Sequence, residues 1–138
     1  MIRPSFPLLS FLALAVPASA SAPAPIAGRW TTDDGKAVIE IAPCGANLCG
    51  KILRVLVAEP AGGARDAKNP DRTKRDRKLV GTPVLWNLTA SGAAWKGQGY
   101  SPTEGRNFTA TVTPAGGTLN VKGCVALFCR TQLWTRAR

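Results

Sequence analysis

The sequence predicts an all-β protein: a small antiparallel up-and-down β-barrel of about eight strands, with a β-sandwich as the alternative. Three observations point there. Apolar and polar residues alternate with a period of two late in the chain, turn signals recur about every eight to twelve residues, and no amphipathic helix of ten or more residues can be drawn. About eight strands in roughly 110 residues must close or stack to hide their edges, and closure is the natural solution.

The strand-like runs follow in order. "GRWTT" opens with Gly28 and Trp30, and the turn signal Asp33 to Gly35 leads into "KAVIEIA". "CGKILRVLV" comes next, and after a charged excursion "TPVLWNL". Ser91 and Gly92 turn into "AAWKGQGY", and Ser101 to Gly105 turn into "RNFTATVT". Pro114 to Gly117 turn into "TLNVKGC", and "FCRTQLWTR" closes the chain. In "RNFTATVT", Phe108, Ala110 and Val112 share one face, with Asn107, Thr109, Thr111 and Thr113 on the other. Leu119 and Val121 alternate in the same way with Thr118, Asn120 and Lys122.

Residues 1–20 read as a secretory signal peptide. Arg3 gives a positive start, "FPLLSFLALAVP" an apolar centre, and the small residues around Ala18 to Ala22 a cleavage site, after Ala20 or Ala22. The apolar centre is shorter than the roughly 20 residues of a spanning helix, and no later segment approaches that length. The expected product is exported, to a bacterial periplasm or the medium, without a membrane span. Cleavage after Ala20 leaves 118 residues: an extended Pro/Ala-rich segment, 21–27, and a single domain, 28–138. The formal charge of +10, or +9 without Arg3, suits polyanionic partners; after export, nucleic acid is not expected among them. There is no histidine, which removes the Ser-His-Asp and Cys-His schemes and imidazole-ligated zinc.

Four cysteines form two pairs of equal spacing, Cys44 with Cys49 and Cys124 with Cys129. Zinc ribbons use tighter knuckles and redox centres prefer two intervening residues, so an exported chain with this even count favours disulfides. Each pair sits at a turn between two strand-like runs. Residues flanking a four-residue hairpin loop face each other at a separation a disulfide accepts, making Cys44–Cys49 with Cys124–Cys129 the first choice. The long crosslink Cys44–Cys129 is the alternative; by loop entropy it would contribute about 4.5 kcal/mol, against roughly 2 for a six-residue loop.

One segment breaks the rhythm. Between Ala58 and Gly81 the chain runs without strand character, and Arg65 to Lys78 holds seven basic and three acidic residues. A loop this long in a compact domain is functional or disordered. Its "AKNPD" is a turn signature in which Asn69 and Asp71 can bond backbone amides.

In order along the chain, "GRWTTDDGKAVIEIAPCGANLCGKI", "DAKNPD", "RDRKLVGTPVL", "YSPTEGRNFTATV" and "GCVALFCRTQLWTR" closely resemble the DUF2147 family, small exported bacterial proteins of unknown function. The resemblance spans Gly28 to Arg136. Ser101, Arg106 and Phe108 depart from the family's usual "YDPEDGKxY", and Lys78 stands where a Pro is common. The resemblance implies a lipocalin-like β-barrel. "GRW" is similar to the Gly-x-Trp that opens lipocalin-type barrels, where the Trp packs across the closed end beneath an Arg of the final strand. That implies a structural cation–π pair of Trp30 with Arg130 or Arg136.

A barrel of this size either fills its interior or keeps one ligand cavity. The leading expectation is a monomeric binding protein for a small, partly apolar or anionic ligand, with no cofactor and no metal. Trp86, Trp95, Tyr100, Phe108 and Trp134 are the aromatics available to line a site, and Arg77 or Arg106 could anchor an anion. Asp66, Asn69 and Asp76 supply polar contacts, and Asp66 or Asp76 could instead pair with Arg77. The alternative is an envelope protein binding polyanion, anionic lipid or a protein partner through the basic loop 65–78. A hydrolase using two of Asp66, Asp76 and Glu104 ranks below both, and no catalytic residue is assigned.

Overall fold

The computed structural model describes residues 2–5, 7–16 and 22–138. The expected cleavage site falls largely on residues 18–21, outside the described residues. Eight strands follow one another: β1 (Gly28–Thr31), β2 (Ala37–Cys44), β3 (Asn47–Val55), β4 (Pro83–Ser91), β5 (Ala94–Ser101), β6 (Arg106–Ala115), β7 (Thr118–Val125) and β8 (Phe128–Arg136). Each pairs antiparallel with the next, and β8 returns to β1, so the sheet is a closed barrel. Among the described residues the only helical element is one 3₁₀ turn, Arg72–Lys74, and no helix is long and apolar enough to cross a membrane.

The inward face is the one that the alternation assigns. Ile39 and Ile41 of β2, Ile52 of β3, Ala110 and Val112 of β6, Leu119 and Val121 of β7 and Trp134 of β8 meet in one buried cluster with Leu85 and Leu88 of β4. Every strand, both disulfides and the buried apolar core lie between Ile26 and Arg136. Among the described residues, the whole closed barrel therefore lies within 22–138.

The up-and-down order gives the barrel two distinct ends. The turns β2–β3, β4–β5 and β6–β7 and both termini of the barrel lie at one end; the turns β1–β2, β5–β6 and β7–β8 and the long β3–β4 loop lie at the other. The first end is closed. Trp30 is buried there, its indole N–H donates to the Ile26 carbonyl at 2.9 Å, and the Arg136 guanidinium lies 4.2 Å from its ring centroid. Gly28 has φ 139°, and a Cβ there would run into that guanidinium, so the Gly-x-Trp spacing serves the stack as much as the strand. Arg130, the other candidate for this contact, stands at the opposite end and pairs with Glu104. The segment expected only as an extended approach also participates: Ile26 is fully buried under the barrel, and the Trp95 indole donates to the Ala24 carbonyl at 3.2 Å.

Both cysteine pairs form disulfides, Cys44–Cys49 at the closed end and Cys124–Cys129 at the open end. The hairpins differ from the four-residue loops expected of them. Pairing continues between the cysteines, Cys44 with Asn47 and Val125 with Phe128, leaving two-residue turns, Gly45–Ala46 and Ala126–Leu127. Cys124 and Cys129 are directly opposed with Cα atoms 4.1 Å apart. Cys49 instead opposes Ala42, so its bond to Cys44 runs diagonally on one face, at 5.8 Å.

Removing the plug and removing its cover should separate in size. Trp30→Ala is expected to lower stability by about 3–5 kcal/mol through cavity formation, and Arg136→Ala by about 1 kcal/mol through the lost cation–π contact. Urea unfolding of residues 22–138 followed by tryptophan fluorescence measures both, and equal losses would contradict this assignment of roles.

Candidate functional site

The open end leads into a cavity of about 510 Å³. Inward positions of β2, β3, β4, β6, β7 and β8 build its wall: Ile39, Ile52, Val84, Phe108, Val121 and Trp134. Because successive residues of a strand point to opposite faces, each strand contributes to the lumen through every second side chain. The Phe108 ring is held against the wall. It lies over Gly99 on β5 and beside Gly123 on β7, and a Cβ at either glycine would collide with it. Two glycines thus let the aromatic ring lie flat where any larger residue would push it into the lumen.

The rim is charged. Lys36 of the β1–β2 turn and Arg106 at the start of β6 line the mouth, with Asp34, Glu104 and Arg130. Glu104 is taken by Arg130, and Asp34 accepts from the Thr32 hydroxyl at 2.7 Å and the Lys36 amide at 3.0 Å. Among the described residues Lys36 and Arg106 make no ion pair and neither does Asp34, so the mouth carries two unpaired cations and one unpaired anion over an apolar interior.

The charged loop is ordered around a single buried carboxylate. Asp66, whose side chain is 0% exposed, accepts from the Tyr100 hydroxyl at 2.6 Å, the Asn69 amide at 2.8 Å and the Arg77 Nε at 2.9 Å. Asn69 closes a turn by accepting from the Asp71 amide, and Asp71 caps the 3₁₀ turn through the Thr73 amide and hydroxyl. A bridge between Arg65 and Lys78 closes the base of the loop. Tyr100 pairs with Asn107, so its parity is opposite to that of Gly99 and Phe108 and directs it outward. It is 4% exposed because the loop lies over it, and the Arg77 guanidinium sits 5.8 Å from its ring centroid.

Burial raises the Tyr100 hydroxyl well above the ordinary phenol range, and the hydrogen bond to the Asp66 carboxylate and that group's charge raise it further. The hydrogen bonds from Thr73 hold the Asp71 carboxyl below its ordinary value.

The sequence-predicted residues therefore divide. Tyr100, Arg106 and Phe108 border the inner cavity, as does Trp134. Asn69, Arg77 and Trp86, with Tyr100 again, border a second hollow of about 690 Å³ between the loop and the outer wall. Asp66 lies beneath the loop as its anchor. Trp95 packs at the closed end, and Asp76 is exposed, giving only its backbone carbonyl to Arg65. The acids considered for a carboxylate pair are engaged separately: Asp66 with Arg77 and Glu104 with Arg130. Among the described residues no three His, Cys, Asp or Glu side chains group as metal ligands. The sequence reading missed Lys36 and Leu79, the latter reaching the cavity from the loop. Lys36 looks like an ordinary turn residue until the turn is placed at the rim; the lining residues Ile39, Ile52 and Val121 could have been read from alternation alone.

An eight-stranded antiparallel barrel, sealed at one end by a tryptophan beneath an arginine and hollow at the other, defines the lipocalin-like class. A family model described as "Uncharacterized protein conserved in bacteria (DUF2147)" matches residues 28–136, and the chain belongs to that family. No curated protein matches it. Among solved structures it is similar to one described as "Protein HP1028 from the human pathogen Helicobacter pylori belongs to the lipocalin family", with a TM-score of 0.72 and 17% sequence identity over 83% of this chain and 84% of that one. At that identity the likeness is one of fold.

Tyr100 is the sole tyrosine, so tyrosinate absorbance at 295 nm reads this hydroxyl alone. Its native pKa lies above the unfolded value of about 10, so the stability it confers is fully present below that pH and is lost as pH rises through the native value. Tyrosinate absorbance of the native protein should therefore rise at higher pH than that of the urea-unfolded protein, and coincident titrations would contradict the assignment. Asp66→Asn, which turns an acceptor-only group surrounded by donors into one carrying its own donors, should cost about 3 kcal/mol in urea unfolding.

Proposed function

We propose that this protein is a non-catalytic binding protein, exported from a bacterial cell, whose open barrel end takes up a small amphiphile: an apolar body in the lumen and an anionic group at the rim. The observation that carries the reading is the cavity of about 510 Å³, with aliphatic and aromatic walls and two unpaired cations, Lys36 and Arg106, at its mouth. Ligand sites are concave, largely apolar and carry a few convergent polar groups, in a volume range that includes this one. The two disulfides support an oxidising compartment, and the reading of residues 1–20 as a cleaved leader supports export. Binding as a monomer, without a cofactor, completes the reading.

A second reading has its own observation. The outer hollow is bordered by Lys51, Lys74 and Trp86, with Arg77 already paired to Asp66, and with Glu40 and Asp71 on the same lining. It sits beside the most basic part of the chain, which supports an envelope polyanion as partner. Salt separates the two. Polyanion binding collapses between low and moderate ionic strength, whereas insertion of an apolar body persists.

The test is titration of residues 22–138 with 1-anilinonaphthalene-8-sulfonate and with a fluorescent long-chain fatty acid. Saturable binding at one site per chain is expected. Val121→Trp, which fills the lumen, should weaken both probes by about tenfold or more. Arg106→Gln should weaken the anionic fatty acid severalfold and leave its uncharged alcohol analogue unchanged. Probe binding unaffected by Val121→Trp would sink the cavity reading.

A further inference from the structure

The distribution of exposed apolar side chains is lopsided. Of the seven large ones exposed beyond residue 22, six stand at the open end: Leu56, Val57 and Val80 in the β3–β4 loop, and Val125, Leu127 and Phe128 at the β7–β8 tip. Only Leu133 stands on the barrel wall. The tip is the most pronounced, with Leu127 95% and Phe128 84% exposed.

Its sequence runs against turn chemistry. Two-residue hairpin turns prefer Asn, Asp or Gly, because at least one central residue adopts positive φ. The corresponding turns β2–β3 and β6–β7 obey this with Gly45 and with Gly116–Gly117. At the β7–β8 tip the residues are Val-Ala-Leu-Phe, and Ala126 is held at φ 53°, a conformation disfavoured for any residue with a Cβ. A disulfide between Cys124 and Cys129 braces the strands just behind it. A braced, strained and wholly apolar tip breaks a local rule where a polar turn would fold more easily, and such departures mark function.

The charges around it select the partner. Val125 and Phe128 border the same mouth as Lys36, Arg106 and Arg130. Asp34 and Glu104 share that rim; Glu104 is paired with Arg130, while Asp34 accepts only from the neutral Thr32 hydroxyl and Lys36 amide, so its charge stays unpaired. The unpaired groups Lys36, Arg106 and Asp34 leave the rim with a net positive charge of one. Apolar side chains projecting beyond unpaired cations match the layering of an anionic bilayer, with acyl chains beneath phosphates. The formal charge of +9 that remains without Arg3 adds long-range attraction of the same sign.

We propose that the open end docks on an anionic lipid surface, with Leu127 and Phe128 entering the acyl layer and Lys36 and Arg106 at the level of the phosphates. The mouth of the cavity then faces the bilayer, and an amphiphile can pass between lipid and lumen without crossing water. Docking stands on the tip and rim alone; only the passage of a ligand rests on the binding function proposed above.

Co-sedimentation of residues 22–138 with phosphatidylcholine vesicles, with and without phosphatidylglycerol, tests it. The protein should partition onto the phosphatidylglycerol vesicles, more weakly as salt rises. The double variant Leu127→Ser/Phe128→Ser should lose about tenfold or more in partitioning, while Leu133→Ser, equally apolar and on the wall, should match the unaltered protein. Equal partitioning of the tip variant, or no partitioning of the unaltered protein, would overturn docking. So would sedimentation equilibrium without vesicles showing a dimer that the tip variant dissolves, because the occupant would then be a second copy. Probe titration without vesicles keeps the two proposals apart. Probe bound but vesicles ignored removes docking alone, and vesicles bound but probe ignored removes the cavity reading alone.

Discussion

Closure of the sheet rests on the narrowest seam in the barrel, where β1 meets β8. β1 has four residues, and only Trp30 with Arg136 and Thr31 with Thr135 are in register across that junction. Neighbouring pairs such as β6 and β7 share seven. The ladder alone gives little purchase, and side chains supply the rest. Arg136 lies over Trp30 while its guanidinium reaches the Ala27 carbonyl, and the Ala137 amide donates to the Arg29 carbonyl. An open seam would expose two strand edges and admit water to the lumen. The stack also draws on the two ends of the domain at once, so with its neighbouring Ala27–Arg136 and Arg29–Ala137 contacts it is among the least local in the fold and the most exposed to loop-closure entropy.

A second constraint acts at the other end, and its character is electrostatic. Burying the Asp66 carboxylate costs several kcal/mol, offset only when its oxygens are fully occupied and its charge is matched. Tyr100, Asn69 and Arg77 meet those conditions together. Net stability is not the main return on such a cluster; removing any one donor leaves a buried charge exposed to that cost, so the loop has one acceptable conformation. That conformation fixes Leu79 and Val57 at the cavity mouth and seats the loop against the β5–β6 turn, where Lys68 donates to the Thr103 carbonyl. The most highly charged segment of the chain is in this way tied to the barrel wall through named partners.

The barrel was legible because a strand's period is short: alternation around Phe108, Ala110 and Val112 assigns a face from a handful of residues, and turn signals punctuate the rest. The hairpin tips were not. Cysteines five positions apart bracket a two-residue turn in both hairpins, yet Cys124 opposes Cys129 while Cys44 meets Cys49 on a diagonal. Spacing does not reveal whether the residues in between pair. The loop shows a similar limit. Asp66, Asn69, Arg77 and Tyr100 stood out as polar or aromatic residues able to hold a ligand, and the structure joins them to one another. Residue type discloses capacity, whereas partnership depends on Tyr100 pointing outward beneath a loop that begins far away in sequence.

Eight strands are close to the number at which a barrel's own side chains can fill it, so a cavity of about 510 Å³ needs a cause. The wall supplies one. Phe108 is the bulkiest inward residue of β6, and in a wall of ordinary side chains its ring would project across the lumen. Gly99 directly opposite and Gly123 on the far strand remove the Cβ atoms in its way, so the ring lies along the sheet. The closed end needs no such device, because Ile26 and Trp30 fill it. Small residues beside a large one at the open end, and large residues under a fixed cation at the closed end, make a barrel hollow from one side only. That asymmetry, drawn in the same direction by the unpaired cations of the rim and the apolar β7–β8 tip, makes the open end the entrance to the lumen among the described residues.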